Sequence, residues 1–231
     1  MTAAGTAPLP ETPKFTVEFG KDAPPPEDGR LDAAAFHRNH QAIAPVLESF
    51  LRGKTGDVLE IGSGTGQHAV AFAEQRPSIA WWPTDLNDNH LRSIAAWRSH
   101  TKLDNVKAPV RLDASAADWR LPALGLPSQF TAIFCANVIH ISPWAVAEGL
   151  FAGAARHLAA GGRLFLYGPF KRDGKHTAPS NAAFDESLRS RNPEWGVRDT
   201  AELRALATKN GLRFVALVEM PSNNAILTFE R

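Results

Sequence analysis

The sequence predicts a single α/β domain built on a mostly parallel sheet, and three observations support this. After Gly56, short apolar runs that stop at a small or polar residue alternate with longer amphipathic stretches, which is typical of β-α-β units. The length of 231 residues fits one such domain better than two. Hydrophobic residues make up 44% of the chain, enough for a sizeable core.

The chain ahead of the first strand divides into two parts. Residues 1–30 are rich in Pro, Ala and Gly and predict a flexible leader, so the domain is expected to span residues 31–231. From Leu31 to Leu51, apolar residues recur at helical spacing, and Pro45 marks either a kink or a boundary between two short helices.

Seven strands follow, with helices between them. Their predicted ranges are 57–62, 78–85, 109–113, 130–137, 162–168, 213–220 and 225–231. Helices are expected over Gln67–Glu74 and near residues 200–211, and the last two strands form an antiparallel hairpin at the sheet edge. Residues 171–192 form a polar insertion after the fifth strand.

Composition limits the partners and the location of the protein. Lys plus Arg number 25 and Asp plus Glu number 24, so no general attraction to nucleic acid or to an anionic membrane is expected. Cys135 is the single cysteine, which excludes an intrachain disulfide and fits a reducing compartment. The sequence shows neither a signal peptide nor a long apolar run, so a soluble, cytoplasmic protein is expected. The histidines lack metal-ligand spacing, so no metal is predicted.

The stretch VLEIGSGTGQHAV carries a glycine-rich turn between a strand and a helix. Gly62, Gly64 and Gly66 would let the chain turn sharply and leave amide hydrogens at the helix N-terminus open to a ligand. Taken alone, the loop could also be a tight turn with no ligand.

Two strand-end carboxylates define the ligand further. Asp85 can accept both hydroxyl hydrogens of a ribose, and Asp113 with the following amide can bind an adenine edge. Each could instead cap a helix. Together with the loop they predict an adenosine site.

Glu60 narrows the choice among adenosine compounds. Dinucleotide folds usually show Gly-x-Gly-x-x-Gly with a pyrophosphate at the helix end, whereas this chain has Gly-x-Gly-x-Gly preceded by an acid. That arrangement favours a ligand with positive charge and no phosphate, such as S-adenosylmethionine, over the nicotinamide cofactor of an oxidoreductase. The alternative for Glu60 is a helix-dipole or N-cap partner.

The motifs LEIGSGTGQH and FCANVIHISPW, with Asp85 and Asp113, resemble the class I S-adenosylmethionine-dependent methyltransferases. The resemblance implies a Rossmann-like fold: a seven-stranded, mostly parallel sheet with an antiparallel last strand and helices on both faces. More narrowly, IFCANVIHISPW, GLFAGAARHL, GGRLFLYGPF, HTAPSNAAFDESLR and WGVRD resemble the methyltransferase-like 26 family, whose function is unknown. This resemblance runs from about Arg38 to the C-terminus and implies no particular substrate.

The resemblance also implies roles for individual residues. Glu60 and the loop amides would hold the methionine part of the cofactor, Asp85 the ribose, Asp113 the adenine, and Asn137 would lie beneath the methyl group. The full predicted cofactor set is Glu60, Gly62, Ser63, Gly64, Gly66, Asp85, Leu86, Asp113, Ala114 and Asn137.

The acceptor is predicted to be a small molecule. Strand four ends in Asn137-Val138-Ile139-His140, not in the Asn/Asp-Pro-Pro-Tyr/Phe of the nucleic-acid and protein amide methyltransferases. His140 is the candidate base, and Tyr167 is a candidate for orienting the acceptor. Either could instead only pack or hydrogen-bond within the core.

Residues 171–192 are the predicted acceptor lid, in which three polar residues share helical spacing. The predicted substrate-binding residues are Arg38, Asn39, His68, Asn181, Asp185 and Arg198, with Asn223 and Asn224 as weaker candidates. A solvated helix face with ordinary ion pairs is the alternative for the lid. The sequence thus predicts a small-molecule methyltransferase. A non-catalytic cofactor-binding protein is the main alternative, and an oxidoreductase a lesser one.

Overall fold

A computed structural model of the protein describes residues 27–231. The strands are β1 (Gly56–Ile61), β2 (Ile79–Asp85), β3 (Val110–Arg111), β4 (Phe130–Ala136), β5 (Leu158–Gly168), β6 (Phe170–Arg172), β7 (Lys175–His176), β8 (Arg198–Asp199), β9 (Arg213–Met220) and β10 (Asn224–Glu230). The helices are α1 (Ala34–Leu51), α2 (Gln67–Glu74), α3 (Asp88–Thr101), α4 (Trp144–His157), α5 (Pro179–Arg191) and α6 (Thr200–Lys209). Residues 1–26 of the predicted leader lie outside the described residues.

The central sheet has seven strands in the order β3-β2-β1-β4-β5-β10-β9. β10 pairs antiparallel with both β5 and β9, and the other pairings are parallel. The predicted fold class is therefore confirmed, including the antiparallel last strand. The carboxyl ends of β1, β2 and β4 lie at the same edge of the sheet. The strand order reverses between β1 and β4, and α/β sheets bind ligands at such a point.

Alternation along the central strands gives the sheet two buried faces. Val58, Phe134 and Phe165 pack against α1 and α2 on one face. Leu59 and Ile133 pack against α4 and α6 on the other. Because both faces are covered by helices, the central strands are apolar at nearly every position.

Helix α1 and strand β3 differ from the sequence prediction. α1 is one continuous helix through Pro45, so of the two alternatives for that residue, a kink or a boundary between two helices, the boundary is wrong. The buried positions Ile43 and Leu47 flank the proline and hold the helix against the sheet on both sides of it. β3 has only two residues, since the chain leaves the sheet before Asp113, which accepts hydrogen bonds from the amide and hydroxyl of Ser115 at 2.8 and 2.6 Å.

The insertion at residues 171–192 is ordered into a β-hairpin and a helix. β6 pairs with β7 and β8 in a second, three-stranded sheet that the sequence did not predict, and α5 follows. None of the helices among residues 27–231 is long and apolar enough to cross a membrane.

Candidate functional site

The glycine-rich turn between β1 and α2 packs too closely for side chains. Gly62 and Gly66 have φ angles of +66° and +89°, which L-residues with side chains rarely adopt. A Cβ at Gly62 would lie 2.5 Å from Val138 Cγ2, and one at Gly66 would lie 2.9 Å from Ile94 Cα. The glycines therefore allow the turn to approach the loop after β4 and helix α3.

A cleft opens beside this turn at the carboxyl ends of β1, β2 and β4, and we call it the glycine-loop cleft. Of the predicted cofactor residues, those on its walls are Gly62, Gly64, Asp85, Leu86, Asp113, Ala114 and Asn137. Its apolar walls come from Ile61, Leu112, Val138, Ile141 and Val146. The cleft thus combines two carboxylates with flat apolar surfaces.

Asp85 organises one end of the glycine-loop cleft. Its carboxylate accepts hydrogen bonds from the Gly64 amide at 2.8 Å and from the Asn87 amide at 2.9 Å. The ring of His90, which the sequence analysis did not single out, lies 3.1 Å from the same carboxylate and also lines the cleft. Asp85 therefore holds the glycine turn against the end of β2.

The other three predicted cofactor residues do not line the cleft: Glu60, Ser63 and Gly66. Glu60 is buried below the turn, where the indole N–H of Trp81 donates to its carboxylate at 2.7 Å. Burial raises the pKa of Glu60 to about 8. The Ser63 hydroxyl accepts from the Thr84 amide at 3.2 Å, so it faces the sheet.

A second cavity of about 490 Å³ lies under α5, and we call it the lid pocket. Its lining includes the predicted residues Arg38, Asn39, Asn137, His140, Tyr167 and Asn181, and the weaker candidates Asn223 and Asn224. Asn137 and Ile141 line both cavities, so the lid pocket and the glycine-loop cleft adjoin.

Asn137 occupies this junction in a left-handed conformation, with φ at +59°. Its amide donates to the carbonyl oxygen of Tyr167 at 2.9 Å, which fixes the chain where β4 ends. Within the described part of the chain, no residue hydrogen-bonds its side chain, which is half-buried. The Asn137 carboxamide is therefore available to a ligand in either cavity.

Four polar side chains form two hydrogen-bonded pairs at the floor of the lid pocket. Asn224 donates to the Tyr167 hydroxyl at 3.0 Å, and Asn39 lines the same pocket. The Asn39 side-chain oxygen lies 2.8 Å from His68 Nε2, and burial lowers the pKa of His68 to about 3. His68 does not line the pocket, but it contacts Asn39, which does. Burial raises the pKa of Tyr167, so its hydroxyl stays protonated at neutral pH.

His140 lines the lid pocket and is 1% exposed. Its Nδ1 is buried without a hydrogen-bond partner among residues 27–231. Burial, together with the charge of Arg198, lowers the pKa of His140 to about 3, so the ring is neutral. Its ring sits against Gly168, where a Cβ would come within 2.5 Å of His140 Cε1.

The predicted lid residues divide between the pocket and the lid's own framework. Asn181 faces the pocket and donates to the Asn223 carbonyl oxygen at 2.8 Å. Asp185 does not line it: its carboxylate pairs with Lys171 at 2.8 Å and accepts from the Val197 amide at 2.7 Å. Burial alone would raise the pKa of Asp185, but these partners bring it below its ordinary value.

Arg198 also lies outside the lid pocket. It donates to the carbonyl oxygens of Ile139 and Ser142 at 2.9 and 2.6 Å, and so binds the loop that follows β4. Burial lowers its pKa. Its side chain therefore supports the segment that carries His140.

Sequence reasoning missed seven residues that line the lid pocket, and three of them lie on α5: Ser180, Phe184 and Arg191. The helical spacing within the predicted lid could have indicated these three residues only if it had been known which face of α5 turns toward the pocket. Among residues 27–231, no group of three or more His, Cys, Asp or Glu side chains is arranged to hold a metal ion.

Comparisons with known proteins find methyltransferases among the proteins to which this chain is similar. The chain is 30% identical over 122 residues to ribosomal RNA small subunit methyltransferase C of Yersinia pestis (strain Pestoides F), covering 52% of this chain and 32% of the relative. The chain thus spans about a third of that relative's length.

Two solved structures share the architecture. An O-methyltransferase family 2 protein from Planctomyces limnophilus DSM 3776, in complex with apigenin, superposes with a TM-score of 0.69 at 21% identity, over 84% of this chain and 57% of that one. PigF with SAH superposes with a TM-score of 0.65 at 17% identity, over 83% of this chain and 56% of that one. The family model that describes a protein of unknown function (DUF938) matches residues 30–231, and the chain belongs to this family.

Proposed function

We propose that the protein is an S-adenosylmethionine-dependent methyltransferase that modifies a small molecule bound in the lid pocket. The observation that carries this proposal is the junction at Asn137 and Ile141, which line both cavities. Methyl transfer is an in-line displacement, so its main requirement is that donor and acceptor be held in contact and aligned. Two adjoining cavities with a shared wall meet this requirement.

The glycine-loop cleft fits the proposed cofactor by charge and shape. Asp85 and Asp113 line it, and no Lys or Arg does so among the described residues. A pyrophosphate would meet two carboxylates there without a compensating cation, which argues against a nicotinamide dinucleotide. A sulfonium and an ammonium group would be attracted, and the apolar walls suit an adenine ring.

S-adenosylmethionine, when bound, supplies an electrophilic methyl group. Asp85 would accept the ribose hydroxyls, Asp113 and Ala114 would bind the adenine edge, and Gly62 and Gly64 would present backbone to the methionine part. The sequence predicts that Glu60 contacts the cofactor. In this proposal Glu60 instead acts indirectly, by supporting the turn, because the bond to Trp81 holds its carboxyl below the turn.

A small-molecule acceptor fits the size and surroundings of the lid pocket. Its volume of about 490 Å³ is typical of ligand cavities, and α5 covers it. The near balance of 25 basic and 24 acidic residues offers no general field for nucleic acid. We also propose that the protein is related to the methyltransferase-like 26 family and that it is located in the cytoplasm.

A second candidate is a protein that binds S-adenosylmethionine without turnover. The state of the two candidate catalytic residues favours it: the pKa of His140 is lowered to about 3, and that of Tyr167 is raised. Neither side chain is a strong base at neutral pH. Many methyl acceptors need no base, and for those Tyr167 and His140 would only orient the acceptor.

Incubation with methyl-labelled S-adenosylmethionine and fractionated cell extract tests the proposal. Label is expected in the small-molecule fraction, at least tenfold above the Asp85→Ala variant. Label in RNA or protein instead would contradict the acceptor class. Cofactor binding with no label in any fraction would contradict turnover and support the second candidate.

A further inference from the structure

The lid pocket carries two cationic side chains and, among the described residues, no acidic one. Arg38 comes from α1 and Arg191 from the last turn of α5, so the two approach the pocket from separate elements. Neither forms an ion pair with any carboxylate within residues 27–231. We propose that the acceptor of the methyl transfer is an organic anion, whose negative group is bound by Arg38 and Arg191. This inference rests on the proposed function.

The arginines retain hydrogen-bond donors, whereas most of the pocket's side-chain amides are already bonded to other groups of the protein. Asn181 donates to Thr177 and to the Asn223 carbonyl oxygen, and Asn223 donates to Ser180 at 3.2 Å. Arg191 uses only Nε, which donates to the Ser187 carbonyl oxygen at 3.2 Å. A guanidinium has five donors in a fixed fork that matches a carboxylate or phosphate, so most of the free donors here suit an oxyanion.

The charge of Arg38 extends to the polar floor of the pocket. It acts on the Tyr167 hydroxyl, where it opposes the effect of burial on the pKa of that group. Arg38 and Tyr167 line the same cavity, so an anion bound at Arg38 lies near the Tyr167 hydroxyl. The anionic group would fix the orientation of the acceptor relative to the glycine-loop cleft.

An apolar side chain on the lid indicates the rest of the acceptor. Phe184 is one of only two large hydrophobic side chains that are exposed within the described chain, and it lines this pocket. Its ring meets the edge of His140 at a centroid distance of 6.0 Å. An exposed aromatic face in a covered cavity suits a planar or apolar body. The acceptor therefore combines an anionic group with an apolar, ring-sized body.

Three probes that differ only in the head group test this inference. Benzoate, phenyl phosphate and the neutral benzamide are titrated into the protein loaded with S-adenosylhomocysteine, and the affinities are measured by ligand-observed NMR. At least one anion is expected to bind ten times more tightly than benzamide. Benzoate and phenyl phosphate distinguish a carboxylate from a phosphate as the group that the site prefers.

Variants locate the anion site. Arg38→Gln and Arg191→Gln are each expected to weaken the binding of the preferred anion about tenfold and to leave benzamide unchanged. Arg52→Gln is the matched control, because Arg52 is an exposed arginine that flanks the far end of α1 and, within residues 27–231, pairs only with Glu48. This control is expected to bind all three probes as the wild type does.

Equal affinity for the anions and benzamide would overturn the inference, as would no binding of any probe or anion binding that survives in the Arg38→Gln/Arg191→Gln double variant. Failure of the proposed function gives a different result: S-adenosylhomocysteine itself does not bind. In that case the same titrations on the unloaded protein decide the anion site alone.

Discussion

The indole N–H of Trp81 donates to the Glu60 carboxylate at 2.7 Å, and both side chains are buried. The two residues lie on the neighbouring strands β1 and β2, directly below the glycine turn. Burial raises the pKa of Glu60 to about 8, so its carboxyl is mostly protonated at neutral pH in the ligand-free protein. Glu60, which the motif predicts to lie beside the ligand, thus mainly supports the glycine turn.

Replacing Glu60 by Gln tests this support. The pKa of Glu60 is higher in the folded chain than its ordinary 4.5, so its stabilising contribution is present at low pH and is lost as the pH rises from 4.5 to 8. Gln keeps an acceptor for Trp81 and cannot ionise. Between pH 5 and pH 9, the free energy of unfolding of the wild type should fall relative to that of Glu60→Gln by an amount on the order of 2–4 kcal/mol. Urea unfolding at both pH values measures this difference. If the free energies of unfolding of the wild type and the variant changed equally with pH, the raised pKa of Glu60 would be refuted.

Gly62→Ala should disrupt the glycine-loop cleft. The new Cβ would lie 2.5 Å from Val138 Cγ2 at a φ of +66°. The variant should bind S-adenosylmethionine at least tenfold more weakly and lose on the order of 1–3 kcal/mol of stability. Gly161→Ala is the control, because Gly161 has a φ of +72° with no atom within 4 Å of its Cβ position. Both variants carry backbone strain, so equal cofactor affinity in the two would show that the contact with Val138 is unimportant.

Asp185→Ala should loosen the lid without affecting the cofactor. The substitution removes the ion pair to Lys171, the contact with His176 and the acceptor for the Val197 amide. Hydrogen exchange in α5 should accelerate by a factor that corresponds to about 2 kcal/mol, because the bonds that close the lid are lost. Glu186→Gln changes an exposed neighbour and should leave exchange unchanged. Slow exchange in the Asp185→Ala lid would show that other contacts hold α5.

His140 should stay neutral across the physiological range. Its pKa of about 3 lies below the ordinary 6.5, so the stability that its neutral ring contributes is complete above pH 6.5 and is lost as the pH falls toward 3. NMR signals of the His140 ring, assigned by their absence in His140→Gln, should not shift between pH 5 and pH 8. A midpoint near pH 6.5 would show that the ring is solvated and able to act as a base.

Most of the fold could be predicted from the sequence because strand burial is encoded locally. The apolar runs of β4 and β10 are bounded by small or polar residues. The exceptions depend on contacts between distant segments. Pro45 does not end α1, because Ile43 and Leu47 pack against the sheet on both sides of it.

The two cavities differed in how far they could be predicted. The glycine-loop cleft follows from one motif and two strand ends, and seven of its ten predicted residues lie on its walls. The lid pocket is built from five separate segments of the sequence, so its membership depends on how α5 is rotated. Helical spacing grouped Asn181 with Asp185, but Asp185 turns to Lys171, and Arg191 instead reaches the pocket.

Calorimetric titration of S-adenosylmethionine, S-adenosylhomocysteine and NAD tests the central claim most directly. The wild type should bind the two sulfur compounds with micromolar affinity and should not bind NAD. Asp85→Ala should lose at least tenfold in affinity, because it removes both the ribose acceptor and the bond to the Gly64 amide. Asp104→Ala, at an exposed position, should bind as the wild type does. Binding of NAD alone, or no binding of either sulfur compound to the folded wild type, would contradict the account.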